Sequence, residues 1–342
     1  MRKRSQGFTL IELMVTVVIF GVIMIATAPF LSQFLQLRTM ENRDRNSLAV
    51  QRISSALTNF SRNTNNGRLP LPYSGNGLNS AVFNPNDATP AGQALALEMR
   101  NTGIEVGSIN DDGSVNRNLR VYQVVPGLLY TMPYYFQTGT QVTLTYDVGV
   151  IYQSACGMSD SCNASVPGDS GVFNAATFPT WTPSGTDYAG VVISTLPEQK
   201  QMLSMTIART NTLRDKLSSE FNARLRMAAA NSAQNFYPLP TNSGAPNLIG
   251  RNPVTNMGCH NGWYRLDAVN VNILDSIGLS KEEFGTTAWG GSIEYCQDYD
   301  PAATGTASAG IPPHYSALRI NKNLTAAAPP TGVIASDLVI TF

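Results

Sequence analysis

Charge is scarce in this chain. Of its 342 residues only 13% are Asp, Glu, Lys or Arg, and 23 acidic side chains balance 23 basic ones. A neutral chain has no global field to gather nucleic acid or an anionic surface, and phosphate binding wants a Lys/Arg cluster that does not stand out here. Histidine is scarcer still, with His260 and His314 alone. Neither has a Ser or Cys elbow beside it, and the sequence has no Gly-rich phosphate loop and no paired-His metal motif. A membrane-tethered hydrolase therefore has no constellation to rest on; the chain is not read as an enzyme, and no cofactor is expected. Low charge does not mean disorder, because 43% apolar residues can build substantial cores. Plentiful Asn, Ser, Thr, Gly and Pro around those cores suit an exported, loop-rich protein of about two domains.

Cysteine is limited to four, which allows three pairings. Cys156 and Cys162 enclose a short loop, and Cys259 and Cys296 lie farther apart, so the favoured pairing is Cys156–Cys162 with Cys259–Cys296, one staple in each half. On a chain-entropy estimate those loops contribute about 2 and about 4 kcal/mol. Cys259-His260 suggests a metal, but Cys156-x5-Cys162 is not a usual zinc spacing.

What is abundant sits at the N-terminus. Arg2, Lys3 and Arg4 precede Gly7-Phe8-Thr9-Leu10-Ile11-Glu12, and from Leu13 to Leu37 there are 25 residues without a formal charge. As a helix that run is roughly 37 Å long, enough to span a bilayer with some tilt. The basic end before it belongs in the cytoplasm. A secretory signal peptide also starts basic, and Ala26-Thr27-Ala28 offers an A-x-A-like site, but the core is too long for that class. A plain anchor tolerates the length and gains nothing from Glu12, which costs a few kcal/mol if unpaired in lipid. The stretch resembles the type IV prepilin signature, in which a short basic leader is cut after the glycine. The resemblance implies cleavage after Gly7 by a prepilin peptidase, methylation of the new N-terminus at Phe8, and a Glu12 carboxylate that meets the N-terminal amine of a neighbouring subunit. Pro29 falls where pilins often carry a helix-bending proline.

Beyond Leu37 the sequence turns polar, with Glu41, Arg43, Asp44 and Arg45, yet Val50, Ile53, Leu57 and Phe60 recur at helical steps on one apolar stripe. Asn65-Asn66-Gly67 ends the helix, and Pro70 and Pro72 prevent its return. The expected helix is thus about 50 residues long, half apolar and half amphipathic. A turn-rich stretch follows, with a short helix over Ala91–Arg100, then strands over Leu119–Val125, Val142–Tyr152 and Tyr188–Leu196. Tyr130, Tyr134, Tyr135 and Phe136 fall between the first two. A second long, soluble helix opens at Thr195-Leu196-Pro197-Glu198, with Thr195 as cap and Glu198 closing a capping box. Leu203, Ile207, Leu213, Leu217, Phe221 and Leu225 mark its stripe down to about Asn231. Short strands are expected at Trp263–Leu266, Ile293–Tyr295, Tyr315–Ile320 and Asp337–Phe342, and a helix capped by Ser280.

A repeat emerges between the halves. Ile53-Ser54-Ser55-Ala56-Leu57 parallels Leu217-Ser218-Ser219-Glu220-Phe221, and Leu69-Pro70-Leu71-Pro72 parallels Tyr237-Pro238-Leu239-Pro240, with Asn84-Pro85 and Asn252-Pro253 at the same offset of 168 residues. Such a duplication makes the second half a pilin-like lobe without a membrane segment.

The fold class is therefore α+β: a long N-terminal transmembrane and amphipathic helix carrying a head of antiparallel sheets, as two tandem pilin-like lobes. The divisions are a leader at 1–7, a transmembrane or filament-core helix at 8–37, a first lobe at 38–194 and a second at 195–342. Candidate ligand sites are few. Asn110-Asp111-Asp112-Gly113 lacks the spaced series and closing Glu of an EF-hand and reads as a solvated turn. Asp298 and Asp300 follow Cys296 in a loop, where by the resemblance some secretion pseudopilins bind calcium; they are weak candidates. Trp181, Trp263 and Trp289 are core residues by default, or sugar-stacking ones in an adhesin.

The resemblance implies a structural subunit held as a single-pass protein in the inner membrane, then assembled into a periplasmic or extracellular filament through its N-terminal helix. A minor pilin at the filament tip, contributing to adhesion, is the first expectation. A type II secretion pseudopilin, or a displayed adhesin or DNA-uptake receptor with a surface or glycan ligand, is the alternative. The large pseudopilin that caps such secretion systems typically lacks the Glu that this chain keeps at Glu12.

Overall fold

The structure is a computed structural model, and it describes residues 10–72, 88–104, 120–134, 140–153, 173–181, 190–229, 232–242, 244, 256–260, 262–303, 305, 307 and 309–342. Helix α1 runs over Leu10–Asn63 as one 54-residue element with Pro29 inside it. Among the described residues of its first half, Ile11, Val17, Phe20 and Ile25 are some of many exposed apolar side chains. Among the described residues no helix is long and apolar enough to cross a membrane. The side chains of Glu12 and of residues 26–28 lie outside the described ones. The second half behaves as its periodicity predicts, burying Val50, Ile53, Ala56, Leu57 and Phe60. The chain leaves the helix where Asn66 and Gly67 take φ of 50° and 76° and the Gly67 N–H donates to the Ser61 carbonyl at 2.8 Å, the left-handed exit that glycine favours.

Helix α2 covers Pro90–Asn101, started by Pro90 and by Thr89, whose hydroxyl accepts from the Gly92 N–H. It packs beside α1, with Leu95 and Met99 in the core they share. The first sheet is antiparallel in the order β1-β2-β3, with β1 at Arg120–Pro133, β2 at Gln141–Gln153 and β3 at Val191–Ser194. Strand β1 continues well past the expected end at Val125. An irregularity at Val125/Leu128 lets Pro126 and Gly127 pass without ending the pairing. Tyr130 is therefore a residue of β1 on the sheet surface; Tyr135 and Phe136 lie outside the described residues. Strand β3 pairs only with Val148–Ile151, so the far part of the β1–β2 hairpin projects as an arm.

Helix α3, Leu196–Met227, follows β3 through Thr195 alone. The capping box is not formed. Thr195 makes no side-chain cap bond; its hydroxyl accepts from the Asp147 N–H at 2.9 Å. Glu198 lies 3.6 Å from Arg62 of α1 instead. The core stripe of α3 is Gln199, Leu203, Thr206, Thr210, Leu213 and Leu217. Three of these are polar and were invisible to an apolar count, whereas Leu225 is exposed. After it come β4 at Trp263–Arg265, the short helices α4 (Ile273–Ser276) and α5 (Lys281–Phe284), β5 at Glu294–Cys296, β6 at Ala317–Asn321, a 3-10 turn at Leu324–Ala326 and β7 at Asp337–Thr341. Ser280 caps α5 as expected, accepting from the Glu283 N–H. These strands form an antiparallel meander, β4-β5-β6-β7.

The main core ignores the boundary between halves. Tyr134, Val142 and Leu144 of the hairpin arm pack with Leu203, Leu213 and Leu217 of α3 and with Tyr295, Leu318, Ile320 and Leu338 of the second sheet. A smaller cluster holds Met257, Cys259, Trp263, Cys296 and Ala317 on the other face of that sheet.

Candidate functional site: the N-terminal motif and the joint of the head

Glu12, the carboxylate expected to act in assembly, lies near the start of α1. Its side chain is outside the described residues, as are Gly7 and Phe8 entirely. What the structure adds is the way the head is fastened to the other end of that helix. Gln199, fully buried on α3, donates from Nε2 to the Gly67 and Asn66 carbonyls at 2.7 and 3.1 Å, and its Oε1 accepts from the Trp289 indole at 2.7 Å. One side chain thus ties the α1 exit, α3 and the second half together. Gly67 is required there: a Cβ at that position would stand 2.2 Å from Gln199 Nε2.

Asp147 on β2 is the second fastening. Its carboxylate accepts from Arg68 Nε at 2.9 Å, from the Leu69 N–H at 2.8 Å and from the Gly127 N–H at 2.9 Å, so this 1% exposed acid has donors for the charge it brings inside. Burial, with Asp147 nearby, pushes the Tyr122 phenol well above its ordinary value. Tyr134, at the tip of the arm, shares a 2.9 Å bond with Thr210 of α3, and burial pushes its phenol up to about 12. Within the strand expected over Tyr188–Leu196, Val191–Ser194 is β3, and Thr195 after it makes a buried hydrogen-bonded turn.

The halves repeat a local device that the sequence only hinted at. Tyr122 donates its hydroxyl to the Pro70 carbonyl at 2.9 Å, and Tyr295 donates to the Pro238 carbonyl at 2.9 Å. Each proline opens a Pro-Leu-Pro helix exit, and each tyrosine is fully buried on a strand.

Cys259 and Cys296 form a disulfide, with Cα atoms 5.9 Å apart, beside β4 and β5; Cys156, Cys162 and the Asn110–Gly113 turn lie outside the described residues. The Asp298 carboxylate accepts from the Gly310 N–H at 2.8 Å and lies 3.6 Å from His314 Nδ1. That of Asp300 accepts from the Ala302 N–H at 2.8 Å. The structure therefore turns these two acids to separate backbone donors rather than to one point. Among the described residues no group of three or more His, Cys, Asp or Glu is placed to hold a metal ion. Trp263 and Trp289 are buried. Arg319 lies 4.3 Å over the Trp263 ring and pairs with Glu294, whose carboxyl burial pushes up while Arg319 opposes the rise. A cavity of about 280 Å³ lies against Tyr299, Lys322 and Asp337. Its charged groups are occupied: Lys322 donates to the Ile334 and Ala335 carbonyls, and Asp337 accepts from Thr331 and Gly332.

No curated protein and no solved structure matches the chain. The family model described as the prokaryotic N-terminal methylation motif matches residues 2–28, the stretch that holds Gly7, Phe8 and Glu12. That match supports a type IV pilin-like protein, a structural subunit of the pilin or pseudopilin kind that prepilin peptidase processes and that assembles with other pilin subunits.

Proposed function

We propose that the chain is a minor subunit at or near the tip of a type IV pilus-like filament, anchored in the inner membrane before assembly and incorporated through α1. The observation that carries the tip position is the rigid joint. About 305 residues follow Leu37, which as one compact body has a radius of gyration near 19 Å, against roughly 13 Å for 100 residues. Helices packed in a filament core stand about 8–10 Å apart, so successive heads have little room along the axis. A second half on a hinge escapes that crowding by swinging outward. Gln199, Thr195 and the core around Leu203 and Leu213 remove the hinge. At the tip no subunit lies above, and both halves face solvent, where their loops are free to meet an adhesion partner.

The mature chain is expected to begin at methylated Phe8, and N-terminal sequencing of membrane-extracted protein checks this; a chain beginning at Met1 or Pro29 ends the pilin reading. Labelled antibody on sheared filaments is expected to mark ends only, at a small fraction of the main subunit. Regular labelling along the shaft overturns the tip position.

A further inference from the structure

Histidine is rare in this chain, and one of the two stands between two acceptors. His314 lies just before β6, with its side chain only 6% exposed. Its Nε2 is 2.9 Å from the Ala233 carbonyl, in the exit from α3. A carbonyl oxygen only accepts, so Nε2 carries the hydrogen, and in a neutral ring Nδ1 is then a bare acceptor. That Nδ1 is buried and without a hydrogen-bond partner. Facing it, 3.6 Å away, is Oδ1 of Asp298, on a side chain 9% exposed. A neutral imidazole thus sets a lone pair against a carboxylate. A proton on Nδ1 turns the same geometry into a charge-assisted hydrogen bond.

The frame around the pair is held by bonds that do not titrate. Cys296, two residues before Asp298, is in the disulfide to Cys259. Its carbonyl accepts from the Ser316 hydroxyl at 2.7 Å, and the Tyr299 N–H donates to the Tyr315 carbonyl at 3.0 Å. Asp298 Oδ2 accepts from the Gly310 N–H at 2.8 Å. A Cβ on Gly310 would press on Asp298 Oδ1 and stand 3.3 Å from His314 Nδ1, so the backbone there closes on the pair. Neighbouring titratable groups are engaged elsewhere. His260 shares a 3.0 Å bond between Nδ1 and the Ala307 carbonyl, and the Asp300 carboxylate accepts from Ala302. On the α3 exit the Tyr237 hydroxyl donates to the Phe342 carbonyl at 3.3 Å. Among the described residues Asp298 is the one carboxylate within 4 Å of a His314 ring nitrogen.

We propose that His314 and Asp298 form a proton-operated latch. While His314 is charged it fastens residues 310–315 both to the exit of α3 and to the chain just after β5; when the proton leaves, the second hold is lost. Ile311 and Tyr315 on the fastened stretch are 83% and 45% exposed, so the proton sets how firmly the head presents them. The direction follows from the two acceptors. Both favour the charged ring, so the stretch is held at low pH and loosens as pH rises through roughly 5 to 8, where imidazole gives up its charge. The latch lies within the head and does not depend on the filament reading.

Amide hydrogen exchange of the detergent-extracted full chain tests this, read on the peptide that holds residues 310–315 and divided by the intrinsic rate at each pH. Wild-type protection is expected to fall about tenfold between about pH 5.5 and about pH 8, as losing one charge-assisted hydrogen bond requires. His314→Gln keeps an N–H for the Ala233 carbonyl and has no charge to lose; it is expected to show the lower protection at both pH values. Asp298→Asn offers a neutral Nδ1 the amide donor it lacks, so its protection is expected to be greater at the higher pH. Unchanged fluorescence of the buried Trp263 and Trp289 shows that each variant keeps its fold. Equal wild-type protection at both pH values, or the wild-type difference persisting in His314→Gln, overturns the latch. Should His314→Gln not fold, the sign in Asp298→Asn decides, and a wild-type slope there overturns the latch as well.

Discussion

Replacing Gln199 by Leu is expected to destabilise the head by about 3–5 kcal/mol, with almost no change in side-chain volume. The amide is buried, and its three partners are the Gly67 and Asn66 carbonyls and the Trp289 indole. Removing it strands a buried donor and a buried acceptor at once, at about 1–3 kcal/mol for each group left unpaired. Gln199→Glu is expected to be no better, because it keeps an acceptor for Trp289 and sets a negative charge against two carbonyls. Guanidinium unfolding of the detergent-extracted full chain, followed by tryptophan fluorescence, measures the loss. The Trp289 environment also reports whether the halves part before the whole head unfolds. In the wild type one transition is expected, since the core spans Val142, Leu203 and Leu318 without a break. A loss below about 1 kcal/mol, or two separate transitions in the wild type, removes the rigid joint and with it the crowding argument for a tip position.

That joint was the least legible part of the sequence. The apolar stripe of α1 from Val50 to Phe60, the exit at Gly67, α2, the Ser280 cap and the strands around Val142 and Asp337 were readable because each follows from local periodicity or turn chemistry. Gln199, Thr206 and Thr210 were not. A polar residue on a helix face reads as solvated until its partner is known, and Gln199 finds partners 132 residues back and 90 residues on. Thr195 shows the same limit from the other side. A capping box is a local preference worth about 1 kcal/mol, and the Asp147 backbone beside it offered the hydroxyl a buried partner instead. The length of β1 was underestimated because Pro126-Gly127 reads as a stop, whereas in the sheet it is an irregularity that the pairing survives. The repeat was visible as short matches, but only the two tyrosine–proline bonds show what those matches do.

The carboxylate proposed to act in assembly is one that the fold of the head does not use. Glu12 lies about 38 residues before Val50, the first buried position among the described residues of α1, so Glu12→Ala is expected to leave head stability and the Cys259–Cys296 disulfide as they are. Processing is expected to persist as well, since the basic leader and Gly7 are intact. The change falls on incorporation. In the membrane an unpaired carboxylate among apolar side chains is unfavourable by a few kcal/mol, and in the proposed assembly the methylated amine at Phe8 of a neighbouring subunit is the partner that relieves it as the helix leaves the bilayer. Removing the carboxylate removes that differential, so recovery in sheared filaments is expected to fall by about tenfold or more, with the protein held in the membrane fraction. Glu12→Gln separates charge from shape: it keeps a hydrogen-bonding group of the same size and is expected to rescue little, because pairing with an ammonium needs the charge. Quantitative immunoblots of sheared and membrane fractions, normalised to the processed chain, give the ratio. Normal incorporation of Glu12→Ala, or loss of folding in it, refutes the role given to this carboxylate.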